Sequence, residues 1–157
     1  MIPKFLLALA LILSLVFTTP LSAMTDYGKQ SLIEADFSNN DLKGATFYLT
    51  DLQKANLSGA DLEGASLFGA KLLDTDLSNT NLKNATLDSA VLDGTNLTNA
   101  TLEDAFAFNT RFNNVSIEGT DFTNVIFNKT ELTYLCSIAS GTNPVSKRKT
   151  KNTLQCE

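Results

Sequence analysis

From residue 32 to residue 132 a large apolar residue stands at every fifth position. The series runs Leu32, Phe37, Leu42, Phe47, then Leu52 by fives to Leu102, then Ala107, Phe112, Ile117, Phe122, Phe127 and Leu132. Of these 21 positions, 20 carry Leu, Phe or Ile, and only Ala107 departs. A period of five fits neither the 3.6 of a helix nor the 2.0 of a strand. Repeats this short point instead to a solenoid, in which like units stack and share one continuous core.

The positions around each centre support that reading. Two residues before it the chain prefers small groups, as at Ala45, Ala55, Ala60, Ala65, Ala70, Ala85, Ala90, Ala100 and Ala105, with Thr or Val at most others. Small and large inward positions that alternate make a filled interior rather than a pore. One residue before the centre lie Asp, Asn, Ser or Thr, and two after it Gly and Asn dominate. Those last residues tolerate positive φ, so one turn per five residues is expected. Every centre is therefore read first as core, worth roughly 1.5–3 kcal/mol of transfer free energy each.

The pattern Ala-(Asp/Asn)-Leu-x-Gly, as in Ala60-Asp61-Leu62-Glu63-Gly64, resembles the pentapeptide-repeat family. The resemblance implies an all-β fold, a right-handed quadrilateral β-helix in which four pentapeptides make one square coil of 20 residues. About five coils and short helical caps follow, and with strands about 4.8 Å apart the tower is on the order of 25 Å tall. The expected boundaries are a signal peptide over 1–23, an N-terminal cap over 24–30, the β-helix over 31–134 and a C-terminal cap over 135–157.

The first 23 residues read as an export signal. Lys4 supplies a short basic start, Phe5 to Phe17 are mostly apolar, and Pro20 precedes a cleavage site at Leu21-Ser22-Ala23. The apolar run of about 13 residues is short for a membrane span; an uncleaved anchor is the alternative. Export gives meaning to Cys136 and Cys156, the two cysteines of the chain. In an oxidising compartment they are expected to pair, with free thiols or a metal as the other readings.

The ends extend the resemblance. Tyr27 and Asp36-Phe37-Ser38 at one end, and Leu135-Cys136 through Gly141-Thr142-Asn143-Pro144 to Leu154 and Cys156 at the other, look like exported pentapeptide-repeat proteins of cyanobacteria and the plant thylakoid lumen. In those relatives a disulfide ties the C-terminal cap, which implies the same for Cys136 and Cys156. From Glu131 to Ala139 the period turns helical, with Leu132, Leu135, Cys136 and Ala139 on one face and Gly141 and Pro144 as terminators. The basic run Lys147-Arg148-Lys149, with Lys151, reads as a solvated loop inside the disulfide, contact with an acidic partner or lipid headgroups being the alternative.

If residues 20 apart stack, Tyr48, Leu49, Phe68, Phe106, Phe108 and Ile126 gather on one side of the tower, interrupted by Asp88. That side is a candidate surface for a protein partner or for self-association. Two structural readings compete: Phe106 or Phe108 turns inward to fill the gap at Ala107, or the rings simply brace neighbouring strands. Between residues 30 and 134 there are 15 acidic and 6 basic side chains, a net of −9 (6 − 15). Asp41 and Asp61, one coil apart, are expected to be hydrated carboxylates rather than a weak Ca²⁺ site.

Residue supply argues against an enzyme. There is no His, no phosphate-binding loop and no dinucleotide fingerprint, so no catalytic residue, cofactor, metal or small-molecule substrate is expected. A net-acidic tower repels phosphate, which disfavours nucleic acid as a ligand. The reading is a non-catalytic scaffold or protein-binding module in the thylakoid lumen or periplasm, free of the membrane after cleavage. The alternative, implied by other members of the family, is a DNA-mimicking protein that interacts with topoisomerases.

Overall fold

The computed structural model describes residues 25–157, so the expected signal segment over 1–23 lies outside the described residues. The chain climbs as a square tower whose successive coils pair in parallel, always between residues 20 apart: Asp26 with Thr46, Ser31 with Asp51, Asp36 with Asn56, and so on to Phe106 with Ile126. Each centre donates its N–H forward to the next coil, as from Leu62 to the Asn81 carbonyl (2.7 Å). The residue before it donates back to the previous coil, as from Asp61 to the Asn40 carbonyl (2.9 Å). Each side of the square is brief, so among the described residues pairing lengthens into regular strands only at β1 (Val91–Asp93) and β2 (Arg111–Asn113).

The local chemistry of the repeat explains its residue preferences. The Asp or Asn before each centre accepts the backbone N–H two residues on, as in Ser38 to Asp36 (2.9 Å), Ser78 to Asp76 (2.9 Å) and Thr98 to Asn96 (3.1 Å). This closes a side-chain turn over the apolar centre. Two residues after the centre φ is positive almost throughout, from Lys29 (60°) to Asn124 (60°). Threonines that replace alanine two residues before the centre are buried but satisfied. Thr75 donates to the Leu52 carbonyl (2.8 Å) and Thr120 to that of Leu97 (2.7 Å), each in the coil below.

The interior is a stack of fully buried leucines: Leu52, Leu57, Leu62, Leu67, Leu72, Leu77, Leu82, Leu87, Leu92 and Leu97 all have 0% exposure. Phenylalanines cluster at the two ends. Tyr27, Phe37 and Phe47 pack together at the start, and Phe112, Phe122 and Phe127 at the finish. Ala107 is buried, and the rings of Phe112 and Phe122 pack on Phe127, the centre one coil above it. Neither Phe106 nor Phe108 turns inward: both stay more than half exposed.

Two expected boundaries move. Residues 25–30 are not a separate cap: Asp26 already pairs with Thr46, and Tyr27 is a repeat centre whose ring stacks on Phe47 at 4.8 Å. At the other end α1 (Lys129–Ile138) begins earlier than residue 135. Leu132 is therefore a helix residue, and the 21 centres run from Tyr27 to Phe127. The Asn128 side chain starts α1 by accepting the Glu131 N–H (2.9 Å), an N-cap legible in Asn-x-x-Glu. A second short helix, α2 (Thr150–Thr153), follows in the region read as a loop.

Candidate interaction surface and its C-terminal strap

The side formed by the column Tyr27, Phe47, Leu67, Leu87, Ala107 and Phe127 carries the expected apolar residues, and the structure brings them together as two groups. Tyr48 stacks on Phe68 (ring centroids 5.7 Å apart), and Leu49 lies against Gly69, where an added Cβ would come within 2.5 Å of Leu49 Cδ2. Higher up, Phe106 pairs in register with Ile126, and Phe108 follows in the turn two residues on. Phe106, Phe108 and Ile126 are 59%, 54% and 58% exposed.

Asp88 divides the two groups and is itself engaged, accepting the Asn109 N–H (3.0 Å). Five of the eight large, exposed apolar side chains among the described residues lie on this side. Phe68 is half-buried under Tyr48 and Leu49, so it supports the surface more than it presents it.

Leu49 is unusual in its backbone. Its φ of 53° places a bulky leucine where most repeats have Gly, Asn, Asp or Lys. Left-handed geometry costs an ordinary L residue roughly 1–2 kcal/mol. An exposed leucine recovers little of that by burial.

The last coil is finished by the C-terminal cap rather than by another coil. Its upward N–H groups find substitutes: Phe112 donates to the Glu131 carboxylate in α1 (3.1 Å), Gly119 to the Ser140 carbonyl (2.9 Å), and Phe122 to the Thr153 hydroxyl in α2 (3.1 Å). Residues 139–157 then form a strap that runs back along the tower and is joined to α1 by Cys136–Cys156. Asn143 anchors it. Fully buried, its amide donates to the carbonyls of Asn99, Ala100 and Gly119, and its oxygen accepts the N–H groups of Val145 and Ser146. Gly141 lets the strap pass close, since a Cβ there would sit 2.6 Å from the Gly119 nitrogen.

Arg148 corrects the expectation of a solvated basic loop. Its guanidinium bridges Glu103 (3.2 Å), Asp121 (3.3 Å) and the Thr123 hydroxyl (2.9 Å). Asp121 is fully buried beneath it. Burial pushes the Asp121 carboxyl up, but hydrogen bonds from Ser146 and Thr123 together with Arg148 outweigh it and hold the group below its ordinary 3.8. Glu103 is lowered from 4.5 chiefly by its bond to Lys83 (2.8 Å), with Arg148 adding to it. Farther along the same side Asp61 accepts the Asn81 amide (3.0 Å) and meets Lys43 (3.2 Å).

Both carboxyls have depressed folded values, so their contribution is complete above the ordinary carboxylate range and is lost as pH falls through the folded values. The strap is expected to hold at pH 5 and above and to loosen below about pH 4. Exchange of the Thr123 and Asn143 amides with pH would read this directly, and Asp121→Asn should flatten the acid limb.

Sequence comparison places the repeat. Models of pentapeptide repeats match residues 31–69, 65–104 and 90–128, in eight copies. The chain belongs to the pentapeptide-repeat family. Its fold is accordingly the right-handed quadrilateral β-helix of that family. Among solved structures, a pentapeptide repeat protein of the Arabidopsis thaliana thylakoid lumen is 40% identical, covers 82% of this chain and 89% of its own length, and has a TM-score of 0.80. One from the cyanobacterium Cyanothece 51142 is 30% identical over 66% of this chain and 64% of its own, with a TM-score of 0.39. Another, from Nostoc sp. strain PCC 7120 and involved in heterocyst differentiation regulation, is 23% identical over 68% and 61%, with a TM-score of 0.46. No functionally curated protein matches the sequence.

Proposed function

We propose that this pentapeptide-repeat protein is a non-catalytic scaffold or protein-binding module, exported to the thylakoid lumen or the periplasm, whose contact surface is the side bearing Tyr48, Leu49, Phe68, Phe106, Phe108 and Ile126. The observation that carries this reading is Leu49. A half-exposed leucine held at positive φ beside the Tyr48–Phe68 stack carries a local backbone cost, and such outliers concentrate where a partner is held. Export is supported by the apolar N-terminal segment and by the relative of the thylakoid lumen. Among the described residues no helix is long and apolar enough to cross a membrane.

The test separates stability from binding. Leu49→Asn restores a residue that tolerates positive φ and is expected to keep or raise the unfolding temperature while weakening capture of a partner from lumenal or periplasmic fractions. The double change Phe106→Ser with Phe108→Ser should abolish capture with little loss of stability, because both rings are exposed. Unchanged capture by both variants would remove this surface from the proposal.

A further inference from the structure

One turn of the tower departs from all the others, and it lies within the aromatic side. From Lys29 to Asn124 the residue two after each centre has positive φ at every place but Asn109. Asparagine tolerates positive φ, so its own chemistry does not forbid the usual turn. Thr110 still closes this turn by donating to the Ala107 carbonyl (3.3 Å). Only the central peptide, Phe108–Asn109, has turned over, which is the difference between the two common β-turn types.

Elsewhere this peptide's N–H donates to the coil above and its carbonyl accepts from the coil below. Gly69 donates to the Asp88 carbonyl (3.1 Å), for example, and the Phe68 carbonyl accepts the Leu49 N–H (2.9 Å). Here the Asn109 N–H points down to the Asp88 carboxylate (3.0 Å). The Phe108 carbonyl accepts the Asn128 side-chain amide from above (3.3 Å). The cause is the start of α1. The carbonyl that would receive the Asn109 N–H belongs to Asn128, and it accepts the Leu132 N–H instead (3.1 Å).

The flip costs one bond. The Ser89 N–H loses the Phe108 carbonyl and has no acceptor among the described residues. At every other equivalent place from Lys29 to Asp104 this N–H is paired with the coil above. Ser89 is exposed, and the Phe108 ring one coil above is more than half exposed. A backbone donor without a partner is a cost that an incoming acceptor removes.

We infer that the Phe108–Asn109 peptide is a two-position element of the contact surface, and that its position here uncovers the Ser89 N–H as the donor for a main-chain carbonyl of the bound partner. The inference rests on the aromatic side being that surface. Exposed rings supply area without direction, whereas one fixed backbone donor among them sets the register of an incoming segment. The acceptor is neutral. Asp88, which accepts the Ser89 hydroxyl (3.4 Å), repels a carboxylate or phosphate brought to the same N–H. An apolar segment fits, with its peptide carbonyl at Ser89 and a side chain against Phe106 and Phe108. In the other position Phe108 takes the Ser89 N–H for itself, so the flip opens and closes the donor.

Two changes at residue 109 read the element without touching a ring. Asn109→Gly favours positive φ and Asn109→Ala disfavours it. The Ser89 amide is expected to exchange at least tenfold more slowly in Asn109→Gly than in the wild type, and to stay unprotected in Asn109→Ala. Asp88→Ala removes the lower hold on the flipped peptide and should act as Asn109→Gly does. N-acetyl-leucine N-methylamide at millimolar concentration is the probe for the donor. It should shift the Ser89 amide resonance in the wild type and in Asn109→Ala, and leave it in place in Asn109→Gly; acetate should shift it in none. Equal Ser89 exchange in the Gly and Ala variants would overturn the two positions. A Ser89 amide indifferent to the blocked leucine, or moved as far by acetate, would overturn the donor. Partner capture that survives Phe106→Ser with Phe108→Ser would end the docking role, while Ser89 exchange, which needs no partner, would still decide the flip.

Discussion

Leu72→Ala is expected to lower the free energy of unfolding by about 3–5 kcal/mol, toward the upper part of the range for buried leucines. The cost depends on how far the surroundings can collapse, and here they cannot. Leu72 sits between Leu52 and Leu92, all with 0% exposure. The backbone on either side is fixed by bonds from Leu72 N–H to the Val91 carbonyl (2.9 Å) and from Lys71 N–H to that of Thr50 (3.0 Å). The cavity would therefore persist. Leu32→Ala, at the partly buried first coil, should cost less, about 2 kcal/mol, since the side chain is not fully enclosed and its surroundings can close on the gap. Denaturant unfolding followed by circular dichroism gives both values. Equal losses at the two positions would show that burial does not increase from the end of the tower inward.

Removing the disulfide with Cys136→Ser and Cys156→Ser is expected to cost about 3 kcal/mol of strap docking, for a sequence separation of 20 between the two cysteines. The loss should be local. The stacked leucines and the ladder between coils make no use of either sulfur, whereas the strap is held by Asn143, Arg148 and Thr153 at separate points. Trypsin should then cut at Lys147, Arg148 and Lys149 roughly 100-fold faster, as local opening becomes that much more populated. The tower itself should keep its unfolding midpoint. Cleavage at the wild-type rate would mean that Asn143 and Arg148 hold the strap without the cross-link. A collapse of the whole tower would mean that the cap and the coils fold as one unit.

The candidate surface was half legible. Placing Tyr48, Phe68 and Phe108 on one side needed only the assumption that residues 20 apart stack. That Phe106 and Phe108 stay outside, although Ala107 between them is small, depended on the packed interior, which no pairwise spacing reveals. The left-handed backbone at Leu49 was implied by its place in the repeat, two residues after Phe47. Its weight comes from the exposure that the folded surface leaves it. The start of α1 at Asn128 was also legible, in the spacing of an N-cap and Glu131, but the continuing period of five through Leu132 hid it.

Period five by itself determined the tower, because every coil poses the same problem to its five residue positions and each repeat answers with the same chemistry. An apolar centre, a small partner, a carboxyl or amide that closes the turn, and a residue tolerant of positive φ suffice at each step. Only the tertiary structure decided the strap: the burial of Asp121 under Arg148, and of Asn143 against Asn99, Ala100 and Gly119. Those contacts join residues with no common period, and their strength arises from desolvation that exists only once the strap lies on the finished coils.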